Sequence, residues 1–165
     1  MSTTRLIRWS GLAAMLGGVL LIAGSVNWEQ TPWRWLGSIG SLLLVYGVMG
    51  IYAVQVQDSG LPGFLGFVLL VAGSIFLMGS GDLVGMPYWL LGSFLSAAGL
   101  ILLAIGTLSS GRFPRWVAWL WIAAVIVGLP SVFAPSLQGV LGLLGSAAAG
   151  LGMAWAGYVL WSRPG

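Results

Sequence analysis

The side chains that could carry acid–base, nucleophilic or metal chemistry are few in this sequence, and three kinds are missing altogether. Among 165 residues there are three acids and six basic residues, and the chain has no histidine, cysteine or lysine. Serines are plentiful, but a serine nucleophile needs a neighbouring base such as histidine or lysine. Thiolate and imidazole metal ligands are missing as well. We therefore expect a protein that is not an enzyme and that holds no cofactor or metal.

The polar groups that do occur lie between long apolar runs. Two polar stretches, VNWEQTPWRW and GSGDLVGMP, supply Glu29, Arg34 and Asp82, which are the candidate residues of a small polar site. These three come together only if the first and third connections of the chain meet. The alternative is that both stretches are solvated turns, held at a membrane surface by their tryptophans.

The composition indicates that lipid, rather than water, surrounds the protein. Only 5% of the residues are charged and 59% are hydrophobic, with a mean hydropathy of +1.03. A soluble domain carries about 25% charged residues. The net charge of +3 is small and dispersed, so it offers no surface for nucleic acid. The lipid bilayer is the first partner that the sequence predicts.

Six apolar runs are long enough to cross a bilayer, whose core of about 30 Å needs roughly 20 helical residues. They are Leu6–Val26, Trp35–Val56, Pro62–Ser80, Pro87–Leu108, Pro114–Phe133 and Leu137–Trp161. Short connections make neighbouring spans antiparallel. The sequence therefore predicts an all-α polytopic membrane protein, a single compact six-transmembrane-helix bundle over residues 1–165. The first run is as long as a full span, so we expect a retained helix and not a cleaved signal peptide.

The arginines predict the orientation. With six spans, all but one fall on the side of the two termini: Arg5, Arg8, Arg112, Arg115 and Arg163. Arg34 alone falls on the other side. Basic residues accumulate on the cytoplasmic side of membrane proteins. Both termini are therefore expected in the cytoplasm, with the protein in a bacterial cytoplasmic membrane.

The ten tryptophans are expected to act mainly as anchors at the two membrane surfaces, where amphipathic rings are enriched. An aromatic cage for a ligand is the alternative. Only three tryptophans lie deep enough in their spans to form one: Trp119, Trp121 and Trp155.

Parts of the sequence resemble one another at hairpin scale. LGGVLLIAGS from Leu16 and LGFVLLVAGS from Leu65 share eight of ten residues. LGSFLSAAG from Leu91 is similar to LGLLGSAAA from Leu141, and LGSIGS from Leu36 shares its first three residues with Leu91. The simplest interpretation is three tandem two-helix hairpins, approximately residues 1–56, 57–111 and 112–165. Chance matching within a glycine-rich, apolar chain is the alternative.

Small residues recur every four positions along the last span, at Gly142, Ser146, Gly150 and Ala154. Helices in lipid associate by close packing through such residues. We interpret this ridge as a packing surface. The alternative is a smooth wall that lines a conduit.

The layout of three glycine-rich hairpins with regular Leu-Gly spacing resembles the HdeD-type acid-resistance membrane proteins of bacteria over the whole chain. It is similar more generally to small glycine-rich six-span bacterial membrane proteins. This resemblance implies a stress-related membrane protein without known catalysis.

Two functional hypotheses follow from the sequence. The first is a structural or accessory membrane protein that acts through helix packing with itself, as a homo-oligomer, or with a larger membrane complex. The alternative is a permeation or binding protein for a small neutral or lipophilic molecule. A ligand-sized cavity near the membrane midplane, lined by serine, threonine and tyrosine, favours the alternative, whereas a packed bundle favours the first.

Overall fold

The computed structural model describes residues 3–26, 31–79, 81–83 and 85–162. In this part of the chain there are six α-helices: α1 (Thr3–Ser25), α2 (Thr31–Gln55), α3 (Gly60–Met78), α4 (Tyr88–Ser110), α5 (Arg115–Gly128) and α6 (Gln138–Ser162). A short antiparallel β-hairpin, β1 (Asp82–Leu83) and β2 (Met86–Pro87), joins α3 to α4. The predicted all-α, six-helix bundle is confirmed, and the small β-hairpin is an addition to it.

Each of the six segments is long and apolar enough to cross a membrane. Their mean hydropathies lie between 1.5 and 2.2, and the fifth reaches this length only together with the turn after α5. Large apolar side chains also cover the outer surface of the bundle, among them Ile126, Leu61 and Trp35. A surface of this kind is suited to contact with lipid. The chain is therefore a membrane protein.

The helices pack as antiparallel pairs, α1 with α2, α3 with α4 and α5 with α6, and α6 closes the bundle by packing against α1. Glycines let the paired backbones approach closely. A Cβ atom added to Gly24 of α1 would lie 2.6 Å from the Cα atom of Gly37 in α2. In the last pair, a Cβ atom on Gly145 would lie 2.6 Å from the Cα atom of Gly128.

The first two hairpins use equivalent contacts. A Cβ atom on Gly40 of α2 would lie 3.0 Å from the backbone nitrogen of Leu21 in α1, and one on Gly99 of α4 would lie 2.6 Å from that of Leu70 in α3. Leu21 and Leu70 are 49 positions apart, the same separation as the repeated decapeptide. Gly40 and Gly99 are 59 positions apart. The origin of this equivalence by duplication stays a prediction.

The bundle has two different ends. The arginine end carries the start of α1, the α2–α3 and α4–α5 turns and the end of α6; its described arginines are Arg5, Arg8, Arg112 and Arg115. The β-hairpin end carries the β-hairpin and the connection between α5 and α6. Four large side chains that are completely buried belong to the tightly packed region between the arginine end and the middle of the bundle: Ile51, Leu103, Trp121 and Leu160.

Helix α5 is too short to span a membrane alone. Its 14 residues extend about 21 Å at 1.5 Å per residue, against about 30 Å for the bilayer core. Pro130 has no backbone N–H and disfavours continuation of the helix. The chain proceeds instead through 3₁₀ turns at Leu129–Val132 and Pro135–Leu137. The wall of the bundle at the β-hairpin end is therefore irregular beside α5.

Candidate functional site

The polar site predicted at the outer connections is only partly within the described residues. Glu29 lies outside them. Arg34 belongs to the first turn of α2, so this helix begins earlier than the sequence suggested. Asp82 is exposed in β1 at the β-hairpin end. A cluster of these three residues stays a prediction.

The small-residue ridge of α6 divides into two parts. A Cβ atom added to Gly150 would lie 2.5 Å from the carbonyl oxygen of Gly18 in α1. A Cβ atom added to Gly18 would lie 3.1 Å from the backbone nitrogen of Ala154 in α6. This half of the ridge packs against α1. A Cβ atom on Gly142 would meet no described atom within 4 Å. Gly142 and Ser146 line a cavity instead.

The cavity has a volume of about 290 Å³ and lies in the half of the bundle nearer the β-hairpin end. Helices α2 to α6 and the 3₁₀ turn after α5 form its walls, and Leu21 of α1 also touches it. Val48, Leu100 and Met153 are the lining residues nearest the middle of the bundle. Ile51 and Leu103 follow about one turn further along α2 and α4 and are fully buried. The packed core therefore separates the cavity from the arginine end.

The cavity exists because its walls carry small residues where α5 has ended. On α6, Gly142, Ser146 and Ala149 face the space left beside the 3₁₀ turn. On α4, Ala97 contributes a side chain of one carbon atom. None of these residues can fill a gap between helices.

Six of the described residues that line the cavity are serines. Four of them donate their hydroxyl proton to a carbonyl oxygen about one turn earlier in the chain, at oxygen–oxygen distances of 2.6 to 2.9 Å: Ser41, Ser74, Ser93 and Ser131. The buried hydroxyl of Ser96 has no hydrogen-bond partner among the described residues. Within the same part of the chain, the hydroxyl of Ser146 also has none.

The described residues that line the cavity include no charged side chain. A charged molecule would find no counter-charge there, and an unpaired charge in an apolar interior is strongly disfavoured. Among the described lining residues there is also no threonine or tyrosine. The cavity therefore has the size and the serines that favour a ligand-binding protein, but not the threonine and tyrosine.

The three deep tryptophans do not form a cage around this cavity. Trp121 is fully buried in the core, whereas Trp119 and Trp155 are 59% and 44% exposed on the surface of the bundle. None of the three lines the cavity. Trp155 contacts Trp116 instead, with ring centroids 5.0 Å apart.

A buried polar cluster at the arginine end was missed by the sequence analysis. The side chain of Gln55 is completely buried. Its carbonyl oxygen accepts hydrogen bonds from the hydroxyls of Thr107 at 3.0 Å and Ser110 at 3.3 Å, which ties α2 to α4. Beside it, Arg112 and Asp58 form an exposed ion pair at 2.7 Å. The available signal was a glutamine in the last turn of an otherwise apolar span.

Comparison with known proteins assigns no family to this arrangement. No protein-family profile matches the chain. No curated protein and no solved structure matches it either. The resemblance to HdeD-type proteins stays a prediction.

Proposed function

We propose that this protein is a non-enzymatic integral membrane protein that binds a small, uncharged, mainly apolar molecule inside the bundle. The observation that carries the proposal is the cavity of about 290 Å³ among α2 to α6. Its volume is roughly twice that of an engineered cavity of about 150 Å³ that binds benzene. A molecule of two fused six-membered rings is of suitable size.

The chemistry of the walls supports binding rather than catalysis. Apolar side chains from all six helices provide dispersion contacts, and the serines provide a few fixed polar groups. Ligand pockets commonly combine a largely apolar wall with a small number of orienting polar groups. Proton transfer from a side chain requires a titratable group within hydrogen-bond reach, and the described lining offers none.

The proposal includes an orientation in a bacterial cytoplasmic membrane, with both termini in the cytoplasm. It is supported by the positive-inside rule, because four of the five arginines among the described residues lie at one end of the bundle and only Arg34 lies at the other. The cavity then lies in the outer half of the membrane. Reporter fusions after Gln57 and after Gly81 test this: we expect the first to report cytoplasm and the second the outside. The reverse result contradicts the orientation.

The structural or accessory role, which was the first hypothesis from the sequence, is a second proposal with less support. The part of the α6 ridge that packs closely does so inside the chain, where Gly150 contacts Gly18. The remaining part of the ridge lines the cavity. These small residues are thus already accounted for within one copy of the chain, and we place ligand binding first.

Two adjacent alanines of α4 provide a matched test of binding. Ala97 lines the cavity, whereas Ala98 is exposed on the lipid-facing surface. The purified protein in lipid nanodiscs is dialysed against 2-methoxynaphthalene. We expect saturable binding by the wild type and by Ala98→Phe, and at least about tenfold weaker binding by Ala97→Phe, since the added ring fills the cavity; tenfold corresponds to about 1.4 kcal/mol.

The thermal unfolding of each variant shows that it is folded under the binding conditions. Binding that is equal in all three proteins, or saturable binding by none, contradicts the proposal.

A further inference from the structure

Most of the serine hydroxyls around the cavity already donate a hydrogen bond within the protein. Four of the lining serines already use their only proton, because each donates it to a main-chain carbonyl oxygen close by in the chain: Ser41 to Gly37, Ser74 to Leu70, Ser93 to Trp89 and Ser131 to Gly128. A hydroxyl has one proton to donate and two lone pairs that accept. These four oxygens can therefore only accept a further hydrogen bond.

The four accepting oxygens come from separate elements. Ser41 belongs to α2, Ser74 to α3, Ser93 to α4 and Ser131 to the 3₁₀ turn after α5. The cavity is thus lined with acceptors contributed by several walls. Two lining serines, Ser96 of α4 and Ser146 of α6, have a hydroxyl without a hydrogen-bond partner among the described residues, and each can donate as well as accept.

This distribution of donors and acceptors selects the polar group of a ligand. A group that only accepts hydrogen bonds can use the protons of Ser96 and Ser146, but it offers no donor to the other four lining serine oxygens. A primary amide brings two donors and a strong acceptor, and leaving one of them unpaired in an apolar site is unfavourable. Amines and carboxylic acids ionise at neutral pH, and the described lining has no counter-charge. A hydroxyl group brings one donor for a serine oxygen and an acceptor for Ser146.

We infer that the molecule bound by this cavity is an uncharged, apolar alcohol or phenol, whose hydroxyl proton is donated to the serine oxygens of the wall. The inference rests on the proposed function, since it concerns the same cavity. The inference adds that the affinity of the cavity for its ligand depends on a hydrogen bond that the ligand donates. A methyl ether of the same skeleton keeps the oxygen and the size of the ligand but loses this hydrogen bond.

The matched probes are 2-naphthol and 2-methoxynaphthalene, measured by equilibrium dialysis against nanodiscs with and without protein. Dialysis against empty nanodiscs corrects for partition into lipid. Because the chain has no cysteine or lysine, it offers no thiol or lysine amine to react with the probes. We expect the wild type to bind 2-naphthol about three to ten times more tightly than the ether, the range that one neutral hydrogen bond supports.

A serine variant locates the effect. The cavity variant combines Ser41→Ala, Ser74→Ala, Ser93→Ala and Ser131→Ala. The control variant combines Ser25→Ala and Ser109→Ala, two serines that also bond to carbonyls of their own helix but do not line the cavity. We expect the cavity variant to lose the preference for 2-naphthol and to keep its affinity for the ether. The control variant should behave like the wild type.

The outcomes separate this inference from the proposed function. Equal corrected affinities for the two probes, with both reduced by Ala97→Phe, leave the binding function intact and overturn the inference. A preference for 2-naphthol that survives in the cavity variant overturns it too. Saturable binding of neither probe overturns the proposed function itself.

Discussion

Two parts of α6 are built from similar small residues and have opposite packing. In the middle of the helix, Gly150 meets the backbone of α1. Towards the β-hairpin end, Gly142 and Ser146 of the same α6 ridge line an open cavity. Small residues allow close packing only where a second helix is present to fill the space. Where α5 has ended, they leave a cavity instead.

The same substitution at two positions of α6 gives the largest expected contrast between these two parts of the helix. Gly150→Ala places a Cβ atom 2.5 Å from the carbonyl oxygen of Gly18, and such overpacking typically costs about 1–3 kcal/mol. Gly142→Ala meets open space, so the better helix propensity of alanine makes it neutral or stabilising by roughly 0.5–1 kcal/mol. Thermal unfolding in detergent measures both. Similar decreases in Tm for the two variants contradict the contrast between these two parts of α6.

A smaller effect is expected for the buried amide of the arginine end. Gln55→Ala removes two hydrogen bonds to α4, each worth about 0.6 kcal/mol on average between membrane helices, and leaves a small void. We expect a loss of about 1–2 kcal/mol in the free energy of unfolding. Gln57→Ala, in the exposed part of the same turn, is the control and should change it little. If the control lowers the stability as much as Gln55→Ala, the buried cluster does not stabilise this end.

The helices could be predicted from the sequence because hydropathy and length determine membrane spans directly. The fourth span, predicted as Pro87–Leu108, is observed as Tyr88–Ser110. The fifth, predicted as Pro114–Phe133, is helical only to Gly128 and continues as a 3₁₀ turn. Its apolar composition does not change at that point, so hydropathy alone overestimates the length of α5. Pro130 and Pro135 were visible in the sequence as the cause.

It was harder to predict which residues of one hairpin are equivalent to which residues of the next. The shared Leu-Gly-Ser at Leu36 and Leu91 relates α2 to α4 by 55 positions, whereas the contacts of Gly40 and Gly99 relate them by 59. The two alignments differ by four residues, which is about one turn of helix. Because small residues recur every four positions, a shift by one turn aligns small residues with small residues again. Only the contacts between backbones distinguish the alternatives.

The cavity and the buried amide could not be predicted, because each depends on the distance between elements remote in sequence. Ala97 and Ala98 are identical in type and adjacent, yet one lines the cavity and the other faces outward. Gln55 and Thr107 are 52 positions apart, and nothing local to either indicates that they meet. The positions of the serines in the sequence did not show which of them would line the same cavity.

The location of a bound probe decides whether the β-hairpin half of the bundle contains a binding cavity. A crystal structure of the protein with 2-bromonaphthalene, with the bromine located by its anomalous scattering, is the measurement. We predict a bromine peak inside the bundle between α4 and α6, near Ala97 and Ser146, in the wild type and none there in Ala97→Phe. A peak confined to the lipid-facing surface beside Ala98, with side chains filling the space between α4 and α6, would contradict the account.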